Sequence, residues 1–347
     1  ISEVQRELGL ERVYKLASNE NPLGLSLKVK EALINALDDL TLYPDASCYN
    51  LNLAVSKYYN IASEQLAFGN GSEEVIDLLI RVFCSPGEAI LTSSHSFLIY
   101  KLSAQAFQVE TLETPMKSDL KFNLEAMKTE LEKNSDKIRL VFIANPNNPT
   151  GTYVNEAELR DFIEFSQRFE NTLIVIDEAY NEFVRAKDYP KTETWLNEYK
   201  NLVLIRTFSK VFGLAGLRLG IILANPEYIS YYHRVRKPFN VNSLAQVAGV
   251  AILEDQNYLK ESQRINWEGL DYFYKELDKL GLKYWPSQAN FVLFETPQSG
   301  IEAYKLLLQQ GIIMRPVGGY GLTNYLRLSV GKSEENHAAI EALKKIL

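Results

Sequence analysis

Two uninterrupted apolar runs, Leu140-Val141-Phe142-Ile143 and Leu173-Ile174-Val175-Ile176, constrain the fold of this chain more than any other feature. A strand with one wet face alternates apolar and polar residues. A strand apolar at every position suits burial on both faces, the situation in a mostly parallel sheet. These runs anchor strands predicted at 139–144 and 172–176, with further strands predicted at 65–68, 89–92, 108–112 and 202–207. Helical patterns at 73–84, 97–107 and 155–169 stand between them. Such βα alternation predicts an open α/β sheet covered by helices.

Past Pro238 the texture changes. A helical region, read as more than one helix, covers 243–280. Strands at 291–294, 312–315 and 325–330, a helix at 301–310 and a last helix from Glu334 complete the chain. This segment reads as a second, smaller α+β domain. With 347 residues, 46% of them hydrophobic, the chain can bury a sizeable core without a disulfide or metal staple.

The formal charge of -7 argues against a general nucleic-acid or anionic-membrane binder, so an anionic ligand would need local arginines. Cys48 and Cys84 are too few for a disulfide framework, and His95, His233 and His337 lie too far apart in sequence to suggest a zinc site. No apolar stretch approaches the roughly 20 residues of a membrane span. Residues 1–10 lack the cationic and apolar regions of a secretory signal. The expectation is a protein of the reduced cytoplasm, with no metal and no membrane or nucleic-acid partner.

In open α/β sheets ligands sit beyond the carboxyl ends of the strands, so the residues just past each strand are the place to seek chemistry. After Phe68 comes Gly69-Asn70-Gly71-Ser72-Glu73, which opens a helix whose free N–H groups suit an anion, though a plain glycine turn reads the same way. After Ala144 come Asn145, Asn147 and Asn148 among prolines, and a simple turn does not explain three asparagines at one strand end. After Ile176 come Asp177, Glu178 and Tyr180. A buried acid is costly unless partnered, and a helix N-cap is the other reading of Asp177. After Thr207 come Ser209, Lys210 and, beyond Gly213 and Gly216, Arg218; alone, Lys210 also reads as a solvated lysine. Together these ends offer an anion cradle, an amine, a carboxylate and hydrogen-bonding Asn and Tyr groups. That set is what pyridoxal phosphate requires: a Schiff-base lysine, an acid facing the pyridinium nitrogen and a phosphate site.

The motifs Leu16-Ala17-Ser18-Asn19-Glu20-Asn21-Pro22-Leu23-Gly24, Tyr43-Pro44-Asp45, Gly69 to Glu73, Asn147-Asn148-Pro149-Thr150-Gly151, Asp177-Glu178-Ala179-Tyr180, Thr207-Phe208-Ser209-Lys210 and Tyr325-Leu326-Arg327-Leu328-Ser329-Val330-Gly331 occur in this order over almost the whole chain. In them the sequence resembles the fold-type I pyridoxal-phosphate-dependent aminotransferases, and within these the histidinol-phosphate aminotransferase family. The resemblance implies an aspartate-aminotransferase-like fold. Its parts would be an N-terminal arm (1–35) packing with the small domain, a large cofactor-binding domain (36–242) and a small C-terminal domain (243–347). It implies that Lys210 carries the cofactor and then acts as general base, and that Asp177 pairs with the ring nitrogen. Asn148 and Tyr180 would hydrogen-bond the ring 3′-oxygen. The phosphate would lie on Gly71, Ser72 and Glu73 with Thr207, Ser209 and Arg218, and Phe97 would stack on the ring. His95 stands where the family more often has proline. Tyr43 would reach the phosphate in the other subunit, which implies a homodimer with shared active sites.

By the same resemblance Arg327, Arg315 and Asn19 are the substrate-side residues. A guanidinium suits carboxylate or phosphate capture. The implied reaction exchanges an amino group between L-histidinol phosphate and 2-oxoglutarate, or runs from imidazole acetol phosphate and L-glutamate in the biosynthetic direction. An aromatic amino-acid aminotransferase, or a phosphothreonine-type decarboxylase of the same cofactor, is the alternative. A cofactor-binding regulator would need a DNA-binding module, and no basic helix-turn-helix region precedes Leu16.

Overall fold

The computed structural model describes residues 2–347; Ile1, the first residue of the expected N-terminal arm, lies outside them. Thirteen strands fall into three sheets among the described residues. The first strand, β1, is Tyr14–Lys15. Next come β2 (Leu66–Gly69), β3 (Ala89–Ser93), β4 (Glu110–Thr114), β5 (Ile138–Ala144), β6 (Leu173–Asp177), β7 (Leu202–Thr207) and β8 (Gly220–Ala224). The remaining strands are β9 (Tyr284–Trp285), β10 (Phe291–Glu295), β11 (Ile312–Ile313), β12 (Arg315–Pro316) and β13 (Tyr325–Ser329).

The large sheet has the order β2-β8-β7-β6-β5-β3-β4. Its ladders are parallel except those that β8 makes with β2 and β7. Every residue of β6 and β7 is buried, as the apolar runs demand. The helix Ser72–Phe83 buries Val75, Ile76, Leu78, Leu79 and Ile80, and the helix Glu156–Ser166 buries Leu159, Phe162 and Ile163. The latter starts on a capping box in which Asn155 and Glu158 satisfy each other's backbone N–H.

The expected βα order is present, with a two-residue shift of β4 against the predicted 108–112. Five helices go beyond the sequence expectation: Leu27–Asn35, Tyr49–Tyr59, Leu124–Lys133, Pro226–Val235 and the short Ser2–Leu8. The first two bury only Val29 and Leu51 with Val55, so their apolar stripes are too narrow to stand out in the sequence. The region 243–280 breaks at Asp255, which caps a second helix by accepting from the Tyr258 N–H. The first of the two, Ser243–Leu253, sends Ala245, Ala248 and Ile252 into the core of the large sheet.

Strands β12-β13-β10-β9 form a four-stranded antiparallel sheet with its own core, in which Phe273, Val292, Phe294, Leu326 and Leu328 meet the C-terminal helix Ser333–Ile346. The predicted strand at 312–315 is two: β11 pairs in parallel with β1, and β12 pairs with β13. That β1–β11 ladder fixes residues 14–16, and the Ser329 N–H, which donates to the Leu16 carbonyl, ties them to the smaller sheet. It leaves residues 17–19 lying between the smaller sheet and the strand ends of the large one.

Candidate active site

A cavity of about 450 Å³ opens at the carboxyl ends of β5, β6 and β7, against the edge of the smaller sheet. Asp177 ends β6, and Lys210 stands after β7 and the turn Phe208-Ser209. Both line the cavity, Asp177 buried and Lys210 partly so, in a site that does not neutralise them by direct pairing. Burial therefore pushes the Asp177 carboxyl up to about 6. The Tyr100 hydroxyl, which donates to Asp177 Oδ2 at 2.7 Å, and the Ala179 N–H, which donates to Oδ1 at 3.2 Å, limit that rise. For Lys210 burial comes first, and the Arg327 charge adds to it; together they lower the ammonium to about 8. Its Nζ donates to the Ser18 carbonyl at 3.3 Å and stands 5.7 Å from the centre of the Tyr180 ring.

One wall is the glycine turn after β2. Gly71 has φ +86, and a Cβ there would stand 2.5 Å from Arg218 Nη2. Only glycine lets the guanidinium lie against the start of the helix Ser72–Phe83, where Ser72 and Glu73 enter the cavity lining. Arg218 is itself left-handed at φ +58 and pairs with Glu73 at 3.0 Å. Thr207 and Ser209 complete this end; the Thr207 hydroxyl accepts from the Ser209 N–H at 3.1 Å.

The opposite wall carries arginines. Arg327, in the middle of β13, is buried; its Nη1 donates to Asn148 Oδ1 at 2.5 Å and its Nη2 to the Ala17 carbonyl at 2.6 Å. Its Nε has no partner, and burial lowers the guanidinium's pKa below the usual range. Arg315 is exposed at the mouth, with Nε donating to the same Ala17 carbonyl at 3.4 Å. Asn19, at φ +56, donates from Nδ2 to the Tyr180 hydroxyl at 2.9 Å and accepts from Ser329 Oγ at 2.7 Å. It thereby joins the large sheet to the small one. Burial raises the Tyr180 phenol to about 12.

Of the residues singled out in the sequence, Asn19, Ser72, Glu73, Phe97, Asn148, Asp177, Tyr180, Thr207, Ser209, Lys210, Arg218, Arg315 and Arg327 all line this one cavity, and Gly71 stands directly behind it. Tyr43 does not. It is 83% exposed and stacks on Phe239 with ring centres 4.8 Å apart; Leu27, Ile34 and Leu42 are exposed as well.

The structure adds groups that the sequence patterns do not mark. Tyr100 lies inside a predicted helix and reads as core; its ring does stack on Phe142, but its hydroxyl serves Asp177. A polar atom on the buried face of that helix, three residues after Phe97, is the available signal. Ser18 and Tyr320 also line the cavity. Behind it, Arg206 lies buried between Glu178, Glu193 and the Tyr59 ring. His95 has φ +56, which proline's ring forbids, so the proline more frequent in the resembling family cannot sit in this loop conformation.

These donors fit pyridoxal phosphate. An amine and a carboxylate share one cavity, an anion cradle exists that a Cβ at Gly71 would fill, and a buried arginine has an unpartnered Nε.

The family model described as aminotransferase class I and II matches residues 11–343. A histidinol-phosphate aminotransferase of Bdellovibrio bacteriovorus is 51% identical over 348 residues, covering 100% of this chain and 94% of that one. Another from Caldicellulosiruptor saccharolyticus is 41% identical over 100% of this chain and 95% of its own. The crystal structure of histidinol-phosphate aminotransferase from Sinorhizobium meliloti in complex with pyridoxal-5′-phosphate superposes with a TM-score of 0.90 at 25% identity, covering 100% of this chain and 95% of that one. Aspartate aminotransferase of Thermus thermophilus shares the fold, with a TM-score of 0.88 at 19% identity over 100% of this chain and 95% of that one.

Proposed function

This chain belongs to the class I and II aminotransferases, and we propose that it moves an amino group between L-histidinol phosphate and 2-oxoglutarate, using pyridoxal 5′-phosphate. The observation that carries the reading is the meeting of the Lys210 amine, the Asp177 carboxylate, the Gly71–Ser72 cradle and two arginines around one cavity. The substrate comes from full-length relatives of 51% and 41% identity that bear that activity in their names. The aromatic aminotransferase and the decarboxylase are not favoured by these relatives.

When bound, the cofactor supplies an electron sink for the charge that develops at the substrate Cα. Asp177 holds a proton on the ring nitrogen, and Tyr100 behind it keeps the carboxyl oriented toward that task. Lys210 holds the cofactor and then moves the proton from the substrate Cα. Its lowered pKa of about 8 leaves a fraction of the amine uncharged near neutrality, as a general base requires. Asn148 and Tyr180 would bind the ring 3′-oxygen, while the backbone N–H groups of Gly71, Ser72 and Glu73, with Thr207, Ser209 and Arg218, would bind the phosphate. Phe97 covers the ring. Arg327, Arg315 and Asn19 bind and orient the anionic ends of the two substrates.

A second copy of the chain completes the site. The exposure of Tyr43, with Leu27, Ile34, Leu42 and Phe239 also exposed, supports this, because large apolar side chains left in water suit an interface. Tyr43 would then reach the partner's phosphate site. Co-expressed Lys210→Ala and Tyr43→Ala chains should give more activity than either variant alone, since a mixed dimer has one site with both residues intact. The two free thiols, Cys48 and Cys84, suit work in the reduced cytoplasm.

The test of the reaction is a half-reaction monitored by absorbance. Cofactor-loaded protein is mixed separately with L-histidinol phosphate, L-glutamate and L-phenylalanine. Rapid conversion of the bound cofactor to its amine form by histidinol phosphate, with phenylalanine far slower, is expected. Efficient conversion by phenylalanine but not by histidinol phosphate would move the activity to aromatic amino acids.

A further inference from the structure

We propose that Tyr320 is the residue that selects the flat ring of the substrate, and that His95 holds it in place from across the cavity mouth. The inference rests on the histidinol-phosphate reading above and names a determinant that reading leaves open. Histidinol phosphate and glutamate must both be accepted, and their anionic ends can share the arginines. Only histidinol phosphate also brings an aromatic ring, which needs an apolar, flat surface.

Three aromatic side chains line the cavity: Phe97, Tyr180 and Tyr320. The first two are assigned to the cofactor above, which leaves Tyr320, whose hydroxyl lies within reach of Arg327, to meet substrate with its ring. It belongs to the turn Gly318–Tyr320 between β12 and β13 and packs against the small apolar cluster of Trp285, Leu293, Val317 and Leu322. Its phenol points inward, close enough to Arg327 and Tyr180 to influence the charge of each.

The turn carrying Tyr320 is glycine-rich and would wander if left alone. The imidazole of His95 reaches it from the large sheet and its Nδ1–H donates to the Tyr320 carbonyl, with N and O 2.5 Å apart. A Cβ on Gly321 would stand 3.1 Å from His95 Cε1, so the ring also packs against the turn. His95 is anchored on its own side, because its carbonyl accepts from the buried Asn147 Nδ2 at 3.0 Å. A clasp therefore runs from the loop after β5, through His95, to the backbone of Tyr320. His95 is a positioning residue in this arrangement, and Tyr320 is the contact.

The experiment compares kcat/KM of the half-reactions with L-histidinol phosphate and with L-glutamate in the cofactor-loaded protein. Tyr320→Ala should shift their ratio about tenfold toward glutamate, the scale of one aromatic contact. Tyr320→Phe, which keeps the ring, should recover most of that shift. His95→Gly keeps the left-handed backbone accessible and removes only the imidazole. It should shift the ratio in the same direction by about threefold, mainly through KM, with the bound cofactor's absorbance unchanged. A ratio within twofold of wild type in both Tyr320→Ala and His95→Gly would overturn the proposal. So would a Phe variant as impaired as the Ala variant. Failure of the wild-type protein to convert histidinol phosphate would instead refute the reaction assignment.

Discussion

Asp177 and Glu178 are consecutive acids at the end of one buried strand, and the fold treats them in opposite ways. Asp177 turns into the cavity and receives two hydrogen bonds but no direct cation, so burial leaves its carboxyl near 6. Glu178 turns to the far side and is fully partnered. Arg206 Nε and Nη2 donate to its Oε2 at 2.9 and 2.8 Å, and Thr192 donates to its Oε1 at 2.5 Å. Arg206 in turn comes from β7, one residue before Thr207 and four before Lys210. The paired side locks two strand ends together, and the unpaired side holds Asp177 and Lys210 in the cavity at a standing cost in stability. This is the division expected where a rigid scaffold positions a strained site.

Replacing Lys210 has the greatest consequence. Lys210→Ala should lose the bound-cofactor absorbance and lower transamination below about a thousandth of wild type, with circular dichroism unchanged. Retained turnover would remove Lys210 from the chemistry.

On the paired side, Arg206→Met should destabilise the chain by about 3–5 kcal/mol, because Glu178 is then left buried and uncompensated. Arg218→Met, which breaks an exposed pair with Glu73, should change stability by less than about 1 kcal/mol yet weaken cofactor binding. Chemical denaturation of both variants without cofactor checks the contrast. Equal losses would mean that the two sides do not differ.

Asp177→Asn should do the reverse of Arg206→Met. The folded carboxyl titrates near 6 against an ordinary 3.8, so its contribution to folding is fully present below about pH 3.8 and is lost as pH rises through about 6. At pH 7 the charged group opposes folding by on the order of 3 kcal/mol. The cofactor-free Asn variant should therefore be more stable than wild type at pH 7, with the advantage shrinking toward pH 4. Its turnover should fall about a hundredfold or more. A variant no more stable than wild type at pH 7 would contradict the unpaired state of Asp177.

The smallest expected effect sharpens the same point. Tyr100→Phe removes one hydroxyl from a buried ring and one charge-assisted hydrogen bond from Asp177. Carbon NMR of the cofactor-free chain should show the Asp177 carboxyl titrating about one unit higher. An unmoved titration would assign Tyr100 to packing alone.

Much of this site is legible in the sequence because its residues stand at strand ends, and strands buried on both faces announce themselves as unbroken apolar runs. Lys210, Asp177, Asn148 and the Gly71 turn each stand just after such a run. Tyr100 is not legible, because a tyrosine on the apolar face of a helix has the same pattern whether its hydroxyl is idle or bonded to a carboxylate. Arg206 is one polar letter inside β7, with nothing local to say that Glu178, Glu193 and Tyr59 surround it. Tyr43 is a site residue only by resemblance, and the single chain leaves it on the surface, where only another chain can bring it to a cavity.

The α/β order, the position of each reactive group along the chain and the chemistry that these groups can support together follow from the order of the amino acids alone. Those are consequences of local periodicity and of residue type. Tertiary structure decided which of two adjacent acids faces the cavity, what keeps Arg206 buried, and that Asn19 and Ala17 hold Tyr180 and Arg327. It also decided that His95 meets the carbonyl of Tyr320. These contacts join residues up to 310 positions apart, and side chains that far apart become neighbours only when the β1–β11 ladder and the two sheets close on each other.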